Sequence, residues 1–137
     1  MSTVDHRRIC MVLAVAVAVS IVHYVDNVAA YDRYPESATL PNPSAAIVGG
    51  SWFLFTAFGL AAVVLLQRGE VRRAAVCLAV YSGSGLVGIL HYTVGGTSAF
   101  PWWRHAHIVA DIILGLVIFA LAMQLARHRR LPPAAAA

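Results

Sequence analysis

Six residues in this chain carry side chains that do chemistry in a place where a greasy sequence would otherwise omit them. They are His23, Asp26 and Asn27 in "HYVDN", His91 in "ILHY", and His107 and Asp111 in "HIVAD". The spacing of the first three is i, i+3, i+4, so they share one face of a helix, and the i, i+4 pair His107 and Asp111 shares a face of another. Neutral imidazole and carboxylate suit zinc, iron, copper or nickel. Facing helices of a bundle build metal sites from such spacings. Two of the histidines would also serve as the axial ligands of a haem. A metal with an open position and a bound water would hydrolyse or oxidise a lipid-borne substrate, with Tyr24 and Tyr92 as nearby proton donors.

Composition says what must hold these groups. Of 137 residues, 60% are hydrophobic and 12% charged, and the mean hydropathy is +0.74. A soluble domain is about half apolar and a quarter charged, and one of this length buries only about two-thirds of its surface. The surplus apolar side chains need lipid as their solvent. About 20 apolar residues span a bilayer as a helix, and four stretches qualify: 9–30, 45–67, 71–94 and 103–126. None alternates as a membrane strand would. The expected fold is therefore all-α, a single four-helix transmembrane domain over 1–131 with a disordered tail at 132–137. The first stretch is too long for a signal-peptide core and is interrupted by its own polar cluster, so it reads as a retained anchor.

The chain has no lysine, so arginine sets the orientation. Arg7 and Arg8 precede the first stretch, Arg68, Arg72 and Arg73 lie between the second and third, and Arg127, Arg129 and Arg130 follow the fourth. The other ends carry only Arg33 and Arg104, beside Asp32 and Glu36. The positive-inside rule then puts both termini in the cytoplasm. The aromatic residues Tyr31, Tyr34, Phe100, Trp102 and Trp103 form an outer belt. The net charge of +4 reflects this topology and the lipid bilayer as partner, not nucleic acid, because the arginines are split among three membrane-flanking sites.

On these boundaries His23, Asp26, His91, His107 and Asp111 fall in one layer of the outer half. His105 points away from the His107–Asp111 stripe, and His6 and His128 are solvated flanking residues. Three uses for the layer stay open. One is a transition-metal or haem site, with His23, His91 and His107 as cofactor-binding groups and Asp26 and Asp111 among the metal ligands. Another is a hydrogen-bonded clamp between helices, each bond worth about 0.6–2 kcal/mol. The last is a proton-coupled transporter subunit.

The remaining motifs are quieter. "IVHY" recurs as "ILHY", each near the outer end of an odd-numbered helix, as a parallel repeat of helix pairs would have it. "GSGLVG" at 83–88 spells a dinucleotide-binding pattern but has no strand before it. Its small residues suit close helix packing, and the Gly83/Ser84/Gly88 face is also a surface for a homo-oligomer. Cys10 and Cys77 fall near cytoplasmic ends, where reduced thiols are expected. The string "HYVDN…YDRYP…GLVGILHY…HIVAD" resembles a group of small four-helix bacterial integral membrane proteins. That resemblance implies the topology and the importance of the six residues, but no reaction. The arginine-only, alanine-rich composition looks like that of a high-GC bacterial genome and points to the plasma membrane.

Overall fold

A computed structural model describes residues 3–39 and 41–127, with side chains described from His6 onward. His128, Arg129, Arg130 and the tail at 132–137 lie outside the described residues. Helix α1 runs Thr3–Ala29, α2 Ala45–Gln67, α3 Val71–Leu86 and α4 Trp102–Arg127. Short 3₁₀ turns interrupt the connections at Tyr31–Arg33 and Thr97–Ala99. No strand occurs among the described residues.

All four helical stretches are long and apolar enough to cross a membrane, which makes this a multi-pass membrane protein. Their outward faces say the same: Val25, Phe53, Leu60 and Ile113 are each more than half exposed. A helix that is apolar all round must be covered by protein or by lipid.

Two expectations need correcting. The first helix starts at Thr3, six residues before the expected start at residue 9. The third stretch is not one α-helix to residue 94. It is α-helical to Leu86 and then winds as a 3₁₀ helix over Val87–Thr93. Side chains at i and i+3 eclipse in that tighter coil, and runs beyond three or four residues are uncommon. Seven residues of it place His91 directly over Gly88. The fourth helix, by contrast, starts one residue earlier than expected and ends one later.

The connections are built from local signals. Ser44 caps α2, its Oγ accepting from the Ile47 amide at 3.3 Å. Gly69 closes α2 at φ +73°. Its amide donates to the Leu66 carbonyl, and that of Glu70 to Leu65, at 3.0 and 2.8 Å. This is a Schellman ending, which glycine completes without the penalty a Cβ would incur. Across the loop at 30–44, the Tyr31 hydroxyl donates to the Pro43 carbonyl at 2.5 Å.

Each helix packs on its sequence neighbour, and α4 closes the ring against α1. The interior divides along its length. Near the termini and the 68–70 turn it is apolar: Leu13, Ala62, Leu66, Leu78, Ile118 and Ala122 meet there. Toward the end capped by the 30–44 loop, Ser20, His23, Asn27, Ser84, Arg104, His107 and Asp111 are buried instead. A layer of buried polar groups in lipid demands partners.

The small residues of "GSGLVG" work inside the chain. Gly85 and Gly115 let α3 and α4 approach until a Cβ on Gly85 would strike the backbone carbonyl of Asp111. Gly88 leaves room for His23, whose Cε1 would lie 3.2 Å from a Cβ there. Ser84 and Gly88 are buried within one copy and Gly83 lies beside Phe55. Cys10 and Cys77 are free thiols.

Candidate functional site

The polar layer is assembled from α1, the 3₁₀ segment and α4, with one residue from the loop. It has two halves that differ in how well their hydrogen bonds are satisfied.

The first half is centred on Asp26. Arg104 forks onto it, Nε to Oδ2 at 2.7 Å and Nη2 to Oδ1 at 2.9 Å. The Tyr34 hydroxyl donates to the same Oδ2 at 2.5 Å. Burial, reinforced by that bond to a carboxylate, pushes the Tyr34 phenol far above the ordinary tyrosine range and keeps it a donor. The guanidinium is also sandwiched by rings, its carbon lying 4.8 Å from the Tyr34 centroid and 5.2 Å from those of Phe100 and Trp103. A planar, weakly hydrated cation with a fixed fork is what such a place requires. Arg104 is 4% exposed. Both oxygens of Asp26 are thereby occupied.

The second half is a line. The Nδ1–H of His23 donates to Asp111 Oδ2 at 2.7 Å. The carboxylate can only accept, so it fixes the proton on Nδ1 and leaves Nε2 of the neutral ring with a free lone pair. That Nε2 accepts a hydrogen bond from the Nε2–H of His91 at 3.3 Å. His107 lies beside the line, its ring centroid 5.5 Å from that of His23. It is buried, yet neither of its nitrogens has a hydrogen-bond partner. Its Nε2 stands 3.4 Å from Asp26 Oδ2, an oxygen already committed to Arg104 and Tyr34.

His23, Asp26, His91, His107 and Asp111 thus converge in one layer, as their spacing implies. Asn27 belongs to it as a brace, its Nδ2 donating to the His23 carbonyl at 3.1 Å. His105 stays outside, sharing a 3.0 Å bond with the Tyr92 hydroxyl. Tyr24 is engaged with the Ser84 carbonyl at 3.2 Å. Among the described residues, no group of three or more His, Cys, Asp or Glu side chains that could hold a metal ion occurs. The Nε2 atoms of His23 and His91 are hydrogen-bonded to each other, and the His107 imidazole lies beside them, 3.4 Å from Asp26.

Two members were not anticipated. Arg104 reads as an interfacial cation because it follows two tryptophans. Yet it precedes His107 by three residues and Asp111 by seven, which places it on their stripe, and this spacing was the available signal. Tyr34 comes from a loop, where no periodicity could have pointed inward.

Comparison of the chain with protein-family models, with curated proteins and with solved structures finds no match in any of the three.

Proposed function

We propose that the loop-capped end of the bundle is a transition-metal site, with His23 and His91 as its first two ligands and His107 as the third. The observation that carries this reading is the line Asp111–His23–His91. Two nitrogens bound tetrahedrally to an ion at 2.0–2.1 Å lie about 3.3–3.4 Å apart, and these lie 3.3 Å apart. A carboxylate on the far nitrogen of a metal-binding histidine is the usual outer partner, setting the tautomer and raising basicity. Asp111 occupies that position relative to His23. His107, buried with both nitrogens unbonded, gains a partner by turning its ring toward the pair.

The same separation favours a bare ion over haem. Axial histidines need nitrogens roughly 4 Å apart, twice a metal–ligand bond, with a flat macrocycle between them. Three nitrogen ligands would leave a fourth position for water or substrate, the pattern of zinc sites that do chemistry. Bound there, the ion would supply a Lewis acid and an activated water.

Asp26 has a different part. Bound by Arg104 and Tyr34, it serves the hydrogen-bonded clamp, and that half of the layer accounts for helix locking without a metal.

Elemental analysis of the detergent-purified protein, prepared without chelator, tests the reading. About one equivalent of a first-row transition metal is expected, most of it lost in His91→Ala and in His107→Ala. Asp111→Asn should weaken binding by about 10–100-fold, the usual cost of losing an outer partner. No metal as isolated, and no rise in melting temperature on adding zinc, would sink the proposal.

We also propose that the termini are cytoplasmic and that the bacterial plasma membrane is the address, which puts the site in the outer half. The distribution of the arginines supports this. In a variant with Cys10 and Cys77 replaced by serine, Thr39→Cys should react with an impermeant maleimide on intact cells. Gln67→Cys should react only after permeabilisation. The reverse pattern would invert the orientation.

A further inference from the structure

We infer that a cavity beside the site binds a single-chain amphiphile with an uncharged, hydrogen-bonding head, admitted from the membrane between α2 and the 3₁₀ segment. The inference concerns the metal-free site and does not rest on the metal-site reading.

The cavity holds about 640 Å³, within the range of small-molecule sites. One wall is the start of α2, through Ile47, Val48 and Phe55, and the facing wall is the 3₁₀ segment, through Val87 and Leu90. Pro35, Pro41 and Pro43 of the 30–44 loop cover it. Its polar end is formed by His23, Asn27 and His91. Ile47 and Leu90 are 63% and 58% exposed, so apolar side chains of both walls stand uncovered at the flank of the bundle. Of the four spans α2 is the least covered, with 11% of its apolar window buried in the protein. A tail that enters here exchanges one apolar environment for another. The head therefore decides what binds.

Charge selects the head. No arginine lines the cavity, whereas Asp32 and Glu36 stand in its lining and Asp111 lies immediately behind His23. In the metal-free site a carboxylate or phosphate head would meet no fixed cation, with the Asp111 carboxylate just behind His23. An ammonium would find no free carboxylate at the His23–His91 end, since Asp111 is already bound to His23 and Asp32 and Glu36 are exposed on the loop, so its desolvation cost would go unmet. A hydroxyl both donates and accepts, so it satisfies either tautomer of His91.

The test uses the full chain in detergent and a hexadecanol bearing a photoreactive diazirine near the end of its tail. Cross-links should map to residues 45–55 and 87–94. Excess hexadecanol should suppress them about tenfold, the effect of one well-made hydrogen bond, whereas hexadecane and palmitate should not. Ser51→Trp fills the cavity from α2 and should abolish labelling, while Leu60→Trp, on the exposed face of the same helix, should leave it intact. Competition on the native protein decides the matter even if Ser51→Trp does not fold. Suppression by hexadecane or palmitate as strong as by hexadecanol would overturn the inference, as would labelling unaffected by any competitor. The same experiment in chelator separates the two proposals. Selective competition without bound metal would support the cavity and leave the ion unsupported. Stoichiometric metal without selective competition would remove the amphiphile alone.

Discussion

Arg104→Ala is expected to lower the stability of the bundle by about 3–5 kcal/mol, the cost of stranding one partner of a buried ion pair. The guanidinium supplies both hydrogen bonds of the fork on Asp26 and lies against three aromatic rings. Its removal leaves a carboxylate 13% exposed at the side chain with the Tyr34 hydroxyl and the more distant His107 imidazole as its remaining neighbours. Arg104→Lys should recover part of the loss, since an ammonium keeps the charge but cannot fork. Adding Asp26→Asn to Arg104→Ala should recover more, because the stranded charge disappears. Denaturation in mixed micelles, followed by helical circular dichroism, reads all four proteins. A neutral Arg104→Ala would mean that the pair is not the clamp described above.

Gly85→Ala is expected to be at least as damaging. Overpacking normally costs about 1–3 kcal/mol and more where the obstacle cannot move. Here the obstacle is the backbone of α4: a new methyl would lie 2.9 Å from the carbonyl carbon of Asp111 and nearer still to its oxygen. Relief requires α3 and α4 to separate, which carries His91, on the segment that continues α3, away from His107 on α4. The variant should therefore lose metal affinity as well as stability. Gly50→Ala, with nothing within 4 Å of the added atom, is the matched control. Equal melting temperatures for the two variants would contradict the close approach of the helices.

Much of this architecture was legible because the bilayer imposes so strict a code. Four apolar stretches give four helices, and the boundary at 45–67 is reproduced to the residue because Ser44 and Gly69 mark its ends with their own hydrogen-bond chemistry. The shared layer of His23, Asp26, His107 and Asp111 was legible for a similar reason. Helical spacing fixes which side chains share a face, and the cost of a charge in lipid drives those faces together.

The 3₁₀ winding of Val87–Thr93 was not legible. "VGILHYT" is as apolar as the helix before it, and nothing local distinguishes three residues per turn from 3.6. Within the tighter coil Gly88 lies against Ile112 and His23, tertiary contacts that local sequence does not show. Nor could spacing alone divide the layer into a satisfied and an unsatisfied half. Asp26 and Asp111 look alike in sequence, and only the position of Arg104 beside one and His23 beside the other gives them different work.

The central claim is that His23, His91 and His107 hold one ion through their ring nitrogens. X-ray absorption on the zinc-loaded protein measures this most directly, because imidazole rings scatter in a pattern that counts them. The account predicts a first shell of nitrogen or oxygen at about 2.0–2.1 Å with three imidazoles, falling to two in His107→Ala. A six-coordinate oxygen shell, or an imidazole count unchanged in His107→Ala and His91→Ala alike, would contradict it.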